Sequence, residues 1–273
     1  MEKTTDRGAA KKKPVVVKKP YLTGSIWDST VIRSALMICG SMIIVAILYL
    51  IVCGVLTFDN TALRVLTNGL VAFVVMAMFY YSGIGRGTVA VNQGEIMYHR
   101  RETGQPIAPE ELSRCFHIGK GFVTGLLGTL PLFLCALILA VVAKEQNTGL
   151  GALPSWVSGL ETRDEVGLGL TYYHTPVMLG LEGVLRIIIR LSIMPFVNMV
   201  GAANRSGLLT LERLSPLIVL LPGIAYGLGY TRGVQVRTQV HSDIARNARK
   251  RRKKSRREKA RKRRAPKGPE ALN

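Results

Sequence analysis

The stretch SALMICGSMIIVAILYLIVCGVLTF, Ser34 to Phe58, decides the class of this protein, because its 25 residues pass without a single charge. At about 1.5 Å per residue, a helix of that length reaches past the roughly 30 Å hydrocarbon core of a bilayer. Hydrocarbon offers backbone amides and carbonyls no water, so such a run must close its own hydrogen bonds as a helix. Two more charge-free runs follow, Val65–Gly85 with 21 residues and Gly121–Ala143 with 23. Only Asp59 to Arg64 separates the first two, which makes them an antiparallel hairpin. A last run, Leu214–Thr231, has 18 uncharged residues and carries Pro216 and Pro222. It is only just long enough to span. The fold class expected is all-α, a polytopic transmembrane helix bundle with disordered or helical basic tails.

One further apolar segment, Pro176–Val200, carries Glu182, Arg186 and Arg190, with Pro195 beyond them. Spaced by four, the three charges share one helix face, each about 40° from the last. Glu182 precedes Arg186 in the favourable i,i+4 order. An arginine facing lipid at mid-bilayer costs about 2.5–3.5 kcal/mol on insertion scales, so this polar membrane stripe is expected to meet water or protein. The plainer reading is an interfacial or re-entrant helix whose arginines snorkel to the headgroups. The sharper one is a polar path inside the bundle. Four spans plus this interfacial or re-entrant helix is the favoured count, with five spans as the alternative.

Charge sets the expected topology. The chain carries a net +20, yet 17 of its 37 Lys and Arg lie from Arg232 onward, against three acids there. With an even number of spans, the N-terminal arm with Arg33, the 86–120 loop and the C-terminal tail share one side and hold 30 Lys/Arg, leaving 7 on the other. The positive-inside rule then puts both termini in the cytoplasm, the 86–120 loop with them, and the 144–175 loop outside. That outer loop holds Trp156, Tyr172 and Tyr173, residue types that favour the headgroup region. Three parts result: a disordered basic arm at 1–30, a transmembrane helical domain at 31–231, and a polybasic cytoplasmic tail at 232–273. Within the 86–120 loop, Pro109-Glu110-Glu111-Leu112 suits a helix start.

The tail is the densest signal. Between Arg246 and Lys267, 15 of 22 residues are Lys or Arg. Arg249, Lys250, Arg251, Arg252, Lys253, Lys254, Arg256 and Arg257 are its expected polyanion-binding residues. Val236, Val240 and Ile244 recur every four residues just before them, so the last span is expected to continue as a helix. No Phe, Tyr or Trp interrupts the tail, which favours phosphate contact over base stacking. Expected partners are the lipid bilayer with its anionic lipids, RNA or the ribosome, and other membrane proteins. Two small-residue motifs, Gly121-x-x-x-Gly125 and Gly223-x-x-x-Gly227, permit close helix packing.

Enzyme signatures are wanting. The chain holds no HExxH, GxSxG or Walker A motif, and Gly83-Ile84-Gly85-Arg86-Gly87 has the wrong spacing for a dinucleotide fingerprint. His99, His117, His174 and His241 are scattered, with surface roles expected. Cys39, Cys53, Cys115 and Cys135 form neither a metal set nor a disulfide framework and read as inert thiols. No cofactor or metal is expected. The layout of several spans, a membrane arginine and a basic tail is similar to that of membrane insertases, although no motif carries the likeness. The expected protein is a non-enzymatic scaffold or assembly factor of a cell membrane, bacterial by its small loops. A transporter or channel component using the charged stripe is the alternative.

Overall fold

A computed structural model describes residues 16–55, 58, 60–144, 180–201 and 204–264. The outer loop at 144–175 lies outside them apart from Lys144, as do residues 1–15 of the arm and 265–273 of the tail. Among the described residues the elements are all helical: α1 Ser29–Val55, α2 Thr61–Glu102, α3 Pro109–Ser113, α4 Ile118–Val142, α5 Leu181–Ser192, α6 Met194–Val200 and α7 Arg205–Arg264. Four of them, α1, α2, α4 and α7, are long and apolar enough to cross a membrane, and the bent pair α5–α6 brings the count to as many as five.

Local chemistry starts each helix where it starts. Asp28 Oδ1 accepts from the Val31 amide at 3.0 Å, closing the first turn of α1. Asn60 accepts from the Ala62 amide at 2.9 Å to begin α2, whose last turn holds His99, Arg100 and Arg101 against the helix dipole. His117 caps α4 by accepting from the Gly119 amide at 3.1 Å through Nδ1. Pro109 opens α3 with Glu110 and Glu111 in its first turn.

The helices pack in the order α1, α4, α7, α2. Asp28 at the start of α1 meets Lys120 at the start of α4, so these two run in the same direction. Gly83, Gly87 and Glu95 of α2 meet Tyr226, Tyr230 and Arg237 of α7 in rising order, so α2 and α7 run together and opposite to the first pair. All four therefore share two ends. One end holds Asp28, Arg86, Lys120 and Arg232. The other holds Cys53, Asn68, Lys144 and Glu212.

The outward faces are as apolar as the core. Leu36, Ile44, Ile47 and Ile51 of α1 are each more than half exposed, and Phe73 of α2 is 69% exposed. Continuous apolar surface of this extent is rare on a protein dissolved in water. The buried side of the bundle holds Met42, Tyr49, Cys53, Phe79, Ala136, Leu139, Ile189, Val219 and Tyr226 in one cluster.

Three features differ from the sequence expectations. The 86–120 segment is no polar loop, because α2 continues through it to Glu102 and leaves only 103–117 as a connection containing α3. Asn92 and Glu95 within it pair with Arg237 and His241 of α7, which removes the reason for the helix to stop at Arg86. Residues 16–28 of the arm expected to be disordered run as an extended strap. The Leu22 amide donates to the Gly94 carbonyl at 3.1 Å, and the Gly24 amide to that of Phe116 at 3.0 Å. Tyr21 meets the edge of Phe116, which stacks on Tyr230 with ring centroids 5.3 Å apart. Ser29 and Thr30 already belong to α1.

Candidate functional site

The charged stripe sits at the end of the bundle where α1 and α4 finish and α2 and α7 begin. Helix α5 turns Leu185 and Ile189 into the apolar cluster, and this carries Arg186 inward beside them. Its opposite face, Leu181, Val184, Ile187 and Ile188, is exposed and apolar. The chain then bends by 93° into α6. Asn198 of α6 donates to the Cys53 carbonyl of α1 at 3.2 Å and reaches Asn68 of α2, which is fully buried.

Glu212 of α7 organises the stripe. Its carboxylate Oε1 accepts from Arg186 Nε at 2.9 Å and from Arg190 Nε at 2.8 Å. Arg186 spends its Nη2 on the Lys144 carbonyl at 2.9 Å and on Glu182 at 3.1 Å. Glu212 is 2% exposed and Arg186 6%, while the Arg190 side chain is 23% exposed. Two carboxylates and two guanidiniums cancel in charge, and each buried ion has hydrogen-bonded partners. Arg186 thus does not snorkel to a surface. The sequence reading missed Glu212 because the last apolar run was counted only from Leu214, after the charges had stopped. An acid two residues before an apolar run, with one more arginine than acids on the stripe, was the available signal.

The other end of the bundle has a lock of its own. Lys120 Nζ donates to Asp28 Oδ2 and to the Ser113 carbonyl, each at 2.8 Å, with both charged side chains about 95% buried. Burial alone raises the Asp28 carboxyl, but the Lys120 ammonium, the Thr30 hydroxyl and the Val31 amide outweigh it and hold it below its ordinary value. The lock ties the strap, the α3–α4 connection and α4 together.

The four motif glycines come into contact. A Cβ on Gly125 would strike the Gly223 carbonyl, one on Gly223 would lie 2.7 Å from the Gly125 carbonyl, and ones on Gly121 and Gly227 would each meet a ring, Tyr230 and Phe122. Helices α4 and α7 therefore touch backbone to backbone. A second pair of motifs went unread: Gly83 and Gly87 of α2 press against Tyr226 and Tyr230, and Gly229 and Gly233 of α7 against Tyr80 and Gly87. Helix α7 is wedged between α2 and α4 along two glycine faces.

Beyond Arg86 and Arg232, α2 and α7 stay together as a stem. Arg237 donates to Glu95 Oε2 at 2.9 Å and also to Asn92, and His241 Nε2 lies 2.7 Å from Glu95 Oε1. His241 is 8% exposed, so the surface role expected for it does not hold. Burial pushes the Glu95 carboxyl up, but Arg237 and His241 outweigh it and leave it below its ordinary value. The strap joins here too, through the Val17 amide and Ser242 Oγ at 3.1 Å. From Arg249 to Lys259 every residue of α7 is exposed, including all eight expected polyanion-binding residues.

No protein family, curated protein or solved structure matches this chain. Among the described residues no three His, Cys, Asp or Glu side chains gather as a metal set would require, and the four cysteines carry free thiols.

Proposed function

We propose that the protein is a non-enzymatic scaffold or assembly factor: a membrane-spanning bundle that holds a polybasic helix in the cytoplasm for a polyanionic or acidic partner. The observation that carries this reading is the continuity of α7. One helix of 60 residues is clamped by glycine contacts on two sides and then runs uninterrupted into the basic segment. A tail needed only to orient the chain in a membrane requires a few charges, not a rigid helical mount.

In this reading the chain crosses a cell membrane four times. Helix α4 ends, and α7 begins, at the same end of the bundle, since Arg186 joins the Lys144 carbonyl to Glu212. A chain that leaves and re-enters at one end has made no net crossing between, so α5–α6 acts as a re-entrant pair. Both termini then lie on the side rich in Lys and Arg, the cytoplasm. The small loops suit a bacterial membrane. The buried Arg186–Arg190–Glu212 cluster favours a second reading, a transporter or channel component, although its charges are already matched within the bundle.

The decisive experiment is purification of the tagged protein in mild detergent with identification of what accompanies it. A stoichiometric complex with another membrane protein, or with RNA, is the result expected of a scaffold. An isolated protein whose thermal stability rises with a particular solute would overturn it in favour of transport.

A further inference from the structure

The basic helix and the stem together fix how far the positive charge stands from the bilayer, given the membrane-spanning reading above. Three elements place the apolar boundary at one level: Arg86 on α2, Lys120 on α4 and Arg232 on α7 are the first charges beyond the uncharged runs, and Gly87 and Gly121 both meet Tyr230. From that boundary α7 continues as helix without a break. At about 1.5 Å per residue, Arg249 lies about 27 Å beyond Thr231, and Lys259 about 42 Å. The usual helix tilt of about 20° shortens these distances by only about 6%. Headgroups occupy about 5–8 Å on each side of the hydrocarbon. A gap of roughly 18 Å or more remains, about two screening lengths at physiological salt. At that range the attraction of an anionic leaflet is largely screened.

The stem keeps the helix from folding back. Glu95 grips both Arg237 and His241, and the strap adds its bond to Ser242. The rod is also unsuited to lying on lipid. Nine of the eleven residues from Arg249 to Lys259 are Lys or Arg, and at 100° per residue they surround the helix. The rod has no apolar face to insert between lipids, so its attraction to a membrane would rest on charge alone, which the distance above screens. Its density of basic residues, about one per 1.8 Å of axis, instead matches the roughly one phosphate charge per 1.7 Å of a nucleic-acid duplex.

We propose that the rod from Arg249 to Lys259 engages the phosphate backbone of nucleic acid in solution, out of reach of the bilayer that holds its own bundle. It recognises phosphates without base sequence, and the stem acts as a spacer that keeps neighbouring anionic lipids from competing.

The test uses the full chain in lipid nanodiscs, neutral or rich in anionic lipid. The variant Arg257→Cys takes a bulky hydrophilic fluorophore, because the native thiols are buried or lie within the apolar helices or the strap contact. Headgroup-bound nitroxide lipids serve as contact-range quenchers. The label should stay unquenched in both kinds of disc. Two 20-nucleotide RNAs of unrelated sequence should bind equally, each losing on the order of a thousandfold in affinity between 50 and 200 mM salt. Ala248→Pro breaks the rod beyond the stem without touching the packed bundle. It should bring quenching and weaken RNA binding in anionic discs alone. Quenching of the unbroken rod in anionic discs would overturn the proposal and leave lipid as the polyanion. An unquenched label with no RNA binding, or with binding to one sequence only, would overturn it as well. Failure of the underlying membrane reading shows separately, as a chain that does not enter discs.

Discussion

Glu212 is a single carboxylate on which two guanidiniums depend, and that makes it the most sensitive residue of the bundle. Glu212→Ala leaves Arg186 buried with only the peripheral Glu182 for charge, and should lose about 3–5 kcal/mol. Arg190→Leu should cost much less, because Arg186 still neutralises Glu212 and the Arg190 side chain is partly exposed. The double change Glu212→Leu with Arg186→Leu should recover part of the loss, since the charges it leaves unpaired, Arg190 and Glu182, are the partly exposed ones. Thermal unfolding of purified protein in one detergent ranks the three. A Glu212→Ala protein as stable as the parent would refute the network. Glu95 adds a pH dependence of definite sign. Its folded carboxyl titrates below the ordinary glutamate range, so it contributes stability above its unfolded pKa and loses it as pH falls through the folded value. Fluorescence of a label at Arg257→Cys should therefore report a loosening stem on acidification, and Glu95→Gln should show the loosened stem already at neutral pH. An acid response unchanged by Glu95→Gln would place the effect elsewhere.

At the scale of helices, the glycine contacts separate residues that look alike in sequence. Gly83, Gly85 and Gly87 lie within one turn and a half of α2, yet a Cβ at Gly83 or Gly87 strikes α7 backbone while one at Gly85 meets open space. Gly83→Leu and Gly125→Leu should each force a helix pair apart and lower the melting temperature by many degrees. Gly85→Leu should leave it nearly unchanged, or raise it slightly through better helix propensity. Equal effects at Gly83 and Gly85 would mean that α2 does not meet α7 along this face. The same geometry explains two prolines inside α7. Pro216 and Pro222 remove backbone donors, but neighbouring helices and hydroxyls such as Ser215, bonded to the Glu212 carbonyl at 2.7 Å, accommodate the irregular turn.

For the whole molecule, the parallel pairing of α2 with α7 is the feature from which topology follows. If both enter from the outer side, a reporter active only outside the membrane should work when fused after residue 160 and stay silent after Asn273. Activity at the C-terminus with silence after residue 160 would invert the whole bundle and put the basic rod outside, whereas activity at both would make α5–α6 a true span and refute the parallel pairing of α2 with α7. The lock of Lys120 on Asp28 belongs to this scale as well. It joins the residue that caps α1 to α4, across 92 positions of sequence, and closes the bundle at the stem end.

Much of this was legible in the residues alone. Charge-free runs of 18 or more residues can satisfy their backbones in hydrocarbon only as helices, so the four long elements and their approximate cores followed from composition. Four-residue spacing placed Glu182, Arg186 and Arg190 on one face, and Val236, Val240 and Ile244 foretold that α7 continues beyond the span. The partners of these residues were not legible. A sequence shows that an arginine needs a counter-charge but not which acid supplies it, because Glu212 is 26 residues from Arg186 and meets it only when α5 folds back on α7. The length of α2 was hidden for the same reason. Its polar half reads as loop in isolation, and becomes helix because α7 offers Arg237 and His241 to Glu95, an acid largely shielded from solvent. Tertiary packing alone decided which glycines touch, which charges pair and how far from the bundle the basic rod is held.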